Sequence, residues 1–162
     1  MRIVTARFDH PDARKLSDIV QAEYAVRYGG EGDVTPLDPA MFEPPRGLYL
    51  LGYDADGSPV ASGGWRAMDT SAEENYADGD AEIKRMFVML HARGRGLSRL
   101  LLARLEESAR EAGRTRMVLE TGDKQPEAIA LYASSGYTLL PESRKFGCYR
   151  EEPSSRCFVK PL

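Results

Sequence analysis

Residues 82–113 read EIKRMFVMLHARGRGLSRLLLARLEESAREAG and decide how this chain folds. An apolar stretch typical of a strand leads into a turn rich in glycine and arginine (residues 93–99, the glycine turn), and an amphipathic helical pattern follows. A turn in this position places backbone N–H groups at the positive end of a helix, where a phosphate can bind. Gly94 and Gly96 leave the approach to those groups free of side chains. We therefore expect the glycine turn to bind a phosphorylated ligand.

The spacing within the glycine turn distinguishes among kinds of phosphate-binding loop. A Walker-type loop requires a Lys-Ser/Thr pair after its second glycine, and the dinucleotide fingerprint requires a third glycine where this chain has Arg99. The turn does match the pattern Gln/Arg-x-x-Gly-x-Gly/Ala from Arg93 through Gly96 to Ser98, with serine where glycine or alanine is usual. It thus resembles the acyl-coenzyme A loop of the GNAT family of N-acetyltransferases. A solvated connection is the alternative for the turn taken alone.

A second motif follows in residues 125–137, which read QPEAIALYASSGY. Pro126 suits the first turn of a helix and Gly136 suits its end, while apolar residues recur between them at helical spacing. The matching GNAT segment reads Asn-x-x-Ala-x-x-Leu-Tyr-x-x-x-Gly-Phe/Tyr, and this chain departs from it at Gln125. Two motifs in the family's order make the resemblance more specific than either motif alone.

The resemblance implies that the chain binds acetyl-coenzyme A as a cosubstrate. In the family, amides of the glycine turn hold the pyrophosphate, and the pantetheine arm pairs with the backbone of the preceding strand. The positions that match the family's cofactor contacts are Met86, Phe87, Val88, Arg93, Gly94, Arg95, Gly96, Leu97, Ser98, Arg99 and Gln125. The three strand side chains also suit a core, which is compatible with a main-chain contact. Each arginine can donate bidentate hydrogen bonds to phosphate, and surface solvation accounts for each equally well.

Acetyl transfer to an amine requires a base, because a lysine-like ammonium has a pKa of about 10.4 and must lose a proton before it attacks. The departing thiolate then benefits from a proton donor. Tyr132 occupies the Leu-Tyr position at which many family members carry that donor. A core tyrosine on the apolar stripe of the helix is the alternative.

Two glutamates compete for the role of the base. Glu82 matches the position of the catalytic glutamate in the histone-acetylating members, and Glu120 matches that of the members that acetylate the N-terminus of ribosomal proteins. A charged residue inside a strand is unusual unless it is paired or exposed. Either glutamate can instead be a surface charge or pair with Lys84 or Arg116, so it stays open whether one of them is the base.

Composition limits the class of protein. A chain of 162 residues suits one domain spanning residues 1–162, and a net charge of −3 argues against general nucleic-acid binding, which needs a basic face. No stretch resembles a signal peptide or a membrane span. Cys148 and Cys157 are too few for a disulfide framework. We expect a cytoplasmic protein with reduced thiols, no metal site, and neither nucleic acid nor membrane as a partner.

The remaining pattern predicts an α/β fold. Strands are expected over residues 2–8, 47–53, 59–68, 81–89, 115–121, 137–140 and 155–160, with helices over residues 11–28 and 97–112 and in the second motif. The inward positions of the middle helix are predicted to be Leu97, Leu100, Leu101, Leu105 and Ala109. This order predicts a mixed, mostly antiparallel central sheet with helices on both faces. The resemblance implies the acyl-CoA N-acyltransferase fold, in which the fourth and fifth strands splay apart.

The leading hypothesis is an acetyl-coenzyme A-dependent N-acetyltransferase acting on a primary amine. A non-catalytic acyl-coenzyme A binding or sensing module on the same fold and a nucleotide-binding protein are the alternatives. The acceptor, a small-molecule or peptide amine or a protein lysine, is left open. Tyr24, Tyr28 and Phe42 are candidates to line its pocket, and the acidic segment around Glu73 and Glu74 is either a solvated loop or a lip that attracts a cation. The family also allows a homodimer across an edge strand.

Overall fold

The computed structural model describes residues 1–70 and 73–162, which form a seven-stranded sheet in the order β1-β2-β3-β4-β5-β7-β6. The strands are β1 (Arg2–Thr5), β2 (Gly47–Tyr53), β3 (Pro59–Met68), β4 (Asp80–Val88), β5 (Arg116–Gly122), β6 (Thr138–Leu139) and β7 (Ser155–Pro161). The helices are α1 (Pro11–Tyr28), α2 (Leu97–Glu111) and α3 (Pro126–Ser134). Neighbouring strands are antiparallel except β4 and β5, which are parallel. The predicted mixed, mostly antiparallel sheet is confirmed.

Local signals set the ends of α1. Pro11 occupies the first turn, and Nδ1 of His10 accepts a hydrogen bond of 3.0 Å from the backbone N–H of Asp12. Gly29 follows the last turn with a φ of 75°. Among the described residues, no helix combines the length and the apolar character needed to cross a membrane.

The two faces of the sheet are covered by different helices. Alternate side chains of β2 point to opposite faces, as the pleat of a strand requires. Tyr49 and Leu51 pack with Leu16 of α1 on one face, whereas Leu50 packs with Leu105 of α2 on the other, where α3 also lies. The predicted placement of helices on both faces is therefore confirmed.

One sequence-based expectation about burial is wrong. Leu100 of α2 was expected to face inward but is 44% exposed, while Leu102 is 2% exposed. Buried positions spaced four residues apart drift around a helix by about 40° at each step, which brings Leu102 inward and leaves Leu100 outside. The acidic segment of residues 69–80 is mostly exposed among its described residues, as a solvated loop would be, but Tyr76 is buried against Phe146. Residues 71 and 72 of that segment lie outside the described residues.

The parallel ladder between β4 and β5 is short. It pairs residues 80–82 with residues 116–118, and beyond it the two strands diverge. Both carboxylate oxygens of Asp80 accept hydrogen bonds from the guanidinium of Arg116, at 2.8 and 2.9 Å, at this junction. The expected splay of the fourth and fifth strands is present.

A bulge interrupts β4 just where the splay begins. The register between β3 and β4 shifts between Ser62 and Gly64, so that Arg85 and Met86 together lie opposite one residue of β3. Arg85 has a φ of 58°, a left-handed conformation that is uncommon for a residue with a Cβ. Because the bulge breaks the alternation of the strand, the consecutive side chains of Lys84 and Arg85 both contact α1 or the loop after it.

Candidate active site

A cavity of about 500 Å³, the central cavity, opens where β4 and β5 diverge. Its walls come from α1 and the following loop, from residues 83–86 of β4, from residues 119–122 of β5, from the start of α3 and from the segment before β7. Its size lies within the usual range of small-molecule sites.

The glycine turn leads into α2 beside the end of β4. Gly94 and Gly96 have φ values of 81° and 78°, and a Cβ on either would meet no atom within 4 Å in the described part of the chain. Glycine is therefore favoured there by the backbone conformation and not by crowding. Gly96 is the N-cap of α2, and no side chain among residues 1–70 and 73–162 caps this helix end. The N–H groups of the first turn, which include that of the half-buried Ser98, are available to an anion.

The three arginine side chains of the glycine turn have protein partners. Nε of Arg93 donates to a carbonyl oxygen of β4 at 2.9 Å, and Nη1 of Arg95 lies 3.2 Å from the carboxylate of Asp54. Nη2 of Arg99 donates to a serine hydroxyl at the end of α3 at 2.8 Å. Exposed contacts of this kind contribute little free energy, so these side chains can exchange them for a phosphate.

The other positions that match cofactor contacts divide into two groups. Met86 and Gln125 line the central cavity. The side chain of Phe87 packs in the core beneath α1, and Val88 and Leu97 pack together behind the glycine turn. Beyond residue 82, the edge of β4 that faces the cavity has no ladder with β5 among the described residues. The resemblance implies that the pantetheine arm pairs with the main-chain groups of this edge.

Tyr132 of α3 is both a core residue and part of the cavity wall. Its side chain is 5% exposed and packs edge-on against the ring of Tyr137, with centroids 5.5 Å apart. The residue nevertheless lines the central cavity, and its hydroxyl has no hydrogen-bond partner within the described ranges. Burial, with a smaller effect of Tyr24, raises the pKa of Tyr132 well above its usual range. The hydroxyl is therefore protonated at neutral pH.

Glu120 of β5 lines the central cavity with a carboxyl group that titrates near neutrality. Oε2 accepts a hydrogen bond of 3.1 Å from the backbone N–H of Tyr149. Gly147 lies so close that a Cβ at that position would collide with Oε1. Burial and the nearby charge of Glu82 raise the pKa of Glu120 to about 7, against the opposing effect of Lys84. A carboxyl group with this pKa can take up and release a proton under physiological conditions.

Glu82 of β4 occupies a different environment. It is 1% exposed, and Oε1 lies 2.9 Å from Nε and 2.8 Å from Nη2 of Arg66. The hydroxyl of Tyr76 donates to its other oxygen. Glu82 forms the ion pair that was expected for a charge inside a strand, but its partner is Arg66 rather than Lys84 or Arg116. Glu82 is not among the residues that line the central cavity.

Asp33, in the loop after α1, is the centre of a polar cluster that was not predicted from the sequence. Its carboxylate lies 2.9 Å from Nζ of Lys84 and accepts hydrogen bonds from the hydroxyls of Tyr149 at 2.8 Å and Thr35 at 2.6 Å. Although burial opposes ionisation, Lys84 and Thr35 hold the pKa of Asp33 well below its usual range. The available signal was the pair of adjacent cations, Lys84 and Arg85, inside a strand.

The residues suggested for the acceptor pocket are only partly brought together. Tyr24 and Tyr28 line the central cavity. Phe42 does not, because it is buried in the core under α1. Glu73 and Glu74 also lie outside the cavity wall.

Comparison with known proteins identifies the family. The profile of the acetyltransferase (GNAT) family matches residues 13–137. The uncharacterized N-acetyltransferase YjgM of Escherichia coli (strain K12) is 31% identical over 144 residues, which cover 85% of this chain and 80% of that protein. An IAA acetyltransferase of Azospirillum brasilense is 44% identical over 84 residues, 52% of this chain and 53% of that protein, so the match spans about half of its length. The chain belongs to the GNAT acetyltransferase family, as its two motifs predicted.

Solved structures agree with this membership. A protein of Klebsiella pneumoniae assigned as an acyl-CoA N-acyltransferase has a TM-score of 0.76 at 28% identity, covering 99% of this chain and 97% of that one. The PaiA N-acetyltransferase of Thermoplasma acidophilum, solved in complex with coenzyme A, has a TM-score of 0.69 at 12% identity with full coverage of both chains. The second likeness is one of fold alone. The predicted acyl-CoA N-acyltransferase fold is confirmed.

Proposed function

We propose that this protein transfers an acetyl group from acetyl-coenzyme A to an amine, with Glu120 as the general base and Tyr132 as the general acid. One observation carries the proposal. A carboxyl group with a pKa of about 7 and a tyrosine hydroxyl without a protein partner in the described residues line the same cavity, in the gap between β4 and β5. An acid and a base are the two groups that amide formation from a thioester and an ammonium requires.

The residues around the cavity fit acetyl-coenzyme A. The uncapped amides at the start of α2, next to Gly94 and Gly96, suit its pyrophosphate. The free edge of β4 beyond residue 82 suits the pantetheine arm, and Gln125 at the start of α3 offers a side-chain amide to the same ligand. Acetyl-coenzyme A supplies the thioester carbonyl that the amine attacks.

The protein's own contribution to the reaction is the transfer of two protons. Glu120 takes a proton from the acceptor ammonium, and the amine nitrogen then bonds to the acetyl carbon. As the carbon–sulfur bond breaks, the hydroxyl of Tyr132 donates a proton to the departing sulfur. The nitrogen loses a second proton as it becomes an amide, and this proton restores the Tyr132 hydroxyl, while Glu120 releases its own proton to solvent. Each correctly placed group of this kind accelerates a reaction by roughly 10²–10⁴.

The environment of Glu82 favours a structural role for this residue. Both of its oxygens are engaged by Arg66 and Tyr76, and the group is away from the cavity wall. Neutralising it would leave the buried guanidinium of Arg66 without a counter-charge, which typically costs about 3–5 kcal/mol. A general base changes its protonation state in every cycle, and an ion pair with a buried arginine opposes that change.

A thiol-release assay with acetyl-coenzyme A against a broad amine library tests the proposal, together with calorimetry of acetyl-coenzyme A binding. We expect binding and turnover with at least one class of amine. Binding without turnover on any amine would favour the sensing module, and a larger rise in melting temperature with ATP or NAD than with acetyl-coenzyme A would favour a nucleotide-binding protein. Either result would overturn the proposal.

A further inference from the structure

We propose that the acceptor is a small amine that also carries a carboxylate, as an amino acid does, and that Arg85 binds this carboxylate. The inference rests on the proposed function and names the substrate class of the same cavity.

Arg85 is a buried cation with few partners. It is 9% exposed and lines the central cavity. Its Nη1 donates to the hydroxyl of Ser17 at 3.3 Å, and its buried Nε has no hydrogen-bond partner within the described residues. A guanidinium offers five N–H donors, and leaving such donors unpaired in a protein interior is costly. Besides the buried Nε, Nη2 also makes no hydrogen bond within the described residues, so Arg85 has donors left for an acceptor group from a ligand.

Arg85 has no close carboxylate of its own. Its closest carboxylate, Asp33, lies 3.9 Å from Nε, but the same carboxylate lies 2.9 Å from Nζ of Lys84. Two buried cations thus share one anion. The other charged residues of the described wall, besides the proposed base, are Lys124 and Glu152, which are both exposed and oppose each other in sign. A ligand carboxylate would give Arg85 a close counter-charge of its own.

The bulge in β4 explains how Arg85 reaches this position. Regular alternation would send the side chains of Lys84 and Arg85 to opposite faces of the sheet. The left-handed backbone of Arg85 turns it to the same side as Lys84 instead, at a cost of about 1–3 kcal/mol that persists only where the surroundings impose it. The proposed base, Glu120, lies on the opposite strand of the splay. An acceptor held by its carboxylate at β4 can therefore present its amine towards β5.

Matched pairs of acceptors provide the first test. Thiol release is measured for the common L-amino acids, β-alanine and γ-aminobutyrate, and for the same compounds with the carboxyl group amidated. The comparison covers a series of pH values, because amidation changes the pKa of the amine. We expect at least one free acid to have a kcat/KM about 10–100 times that of its amide, the range of a charge-assisted hydrogen bond. Amides that react as well as every acid would overturn the inference but not the proposed function. No turnover with any probe, together with no binding of acetyl-coenzyme A, would overturn both.

Variants of Arg85 provide the second test. Arg85→Gln should raise KM for the preferred acid at least ten-fold more than KM for its amide, and Arg85→Lys, which keeps the charge, should recover part of the difference. Arg110→Gln is the matched control, since Arg110 is an exposed arginine of α2 that pairs with Glu107. Equal losses for acid and amide in folded Arg85 variants would overturn the assignment. If melting curves show that a variant does not fold, the selectivity of the unmodified protein decides the question.

Discussion

Nζ of Lys84 lies 2.9 Å from Oδ2 of Asp33, and this contact joins β4 to the loop that follows α1. The two side chains are 9% and 13% exposed. The hydroxyl of Tyr149 donates to the other oxygen of the same carboxylate, which ties in a third segment of the chain. One ionised carboxylate thus connects three walls of the central cavity.

Replacing Asp33 with Asn should destabilise the protein in a pH-dependent way. The pKa of Asp33 is lowered in the folded state, so its ionised form contributes stability above the unfolded pKa of 3.8, and that contribution is lost as the pH falls through the folded value. We expect a loss of about 3 kcal/mol at pH 7, as for a broken buried pair, and a smaller loss below pH 4. Urea unfolding between pH 3 and 7 measures both. Asp123→Asn, at an exposed site, should change stability by less than about 0.5 kcal/mol, and a loss at Asp33 that does not vary with pH would contradict the assignment.

Replacing Glu120 with Gln should abolish most of the turnover while acetyl-coenzyme A still binds. We expect kcat to fall by roughly 10²–10⁴. The activity of the unmodified protein should rise with pH and level off above about 7, because the base must be deprotonated, and the variant should lack that inflection. A pH–rate series on both proteins measures this difference. If Glu82→Gln were the folded variant that lost the inflection, while Glu120→Gln kept it, the base would be Glu82.

Replacing Tyr132 with Phe should slow the reaction without unfolding the protein. The ring contacts with Tyr137 and Phe158 are kept, and the hydroxyl has no partner to lose in the described residues. We expect turnover to fall by roughly 10² or more, with the affinity for acetyl-coenzyme A and the melting temperature nearly unchanged. Unchanged turnover would mean that sulfur receives its proton from another group.

Replacing Gly96 with Ala should weaken the binding of acetyl-coenzyme A. Its φ of 78° makes a Cβ unfavourable by about 1–2 kcal/mol, and relaxation of the turn would move the amides that face the pyrophosphate. Gly57→Ala is a matched control, because Gly57 has a φ of 84°, equally open surroundings and a place in the β2–β3 turn. Both variants should lose similar stability, and calorimetry should show reduced affinity in Gly96→Ala alone. Equal affinities in the two variants would remove the glycine turn from the binding site.

Elements with strong local signals were predictable from the sequence. The bounds of α1 follow from Pro11 and Gly29, and the β2–β3 hairpin follows from its turn. The glycine turn was recognisable because its backbone conformation itself demands glycine at Gly94 and Gly96.

The features that distinguish Glu82 from Glu120 as a candidate base were not predictable from the sequence. Glu82 and Glu120 have equivalent positions in strands, and their different environments come from partners that are distant or unremarkable in the sequence. Arg66 and Tyr76 donate hydrogen bonds to the two oxygens of Glu82, whereas Gly147 packs closely against the carboxyl group of Glu120. Arg66 reaches Glu82 across the sheet and Gly147 reaches Glu120 from the segment before β7, and periodicity reports neither contact.

The ladder of three residue pairs between β4 and β5 divides the sheet into a four-stranded half and a three-stranded half. The bidentate hydrogen bond between Arg116 and Asp80 joins the two halves at the end where the ladder lies. Any molecule that fills the open end and contacts both strands links the two halves of the sheet. Because it binds only the folded protein, its binding increases the free energy of unfolding. Ligands that bind in the gap between β4 and β5, as proposed for the substrates, should therefore also raise the stability of the fold.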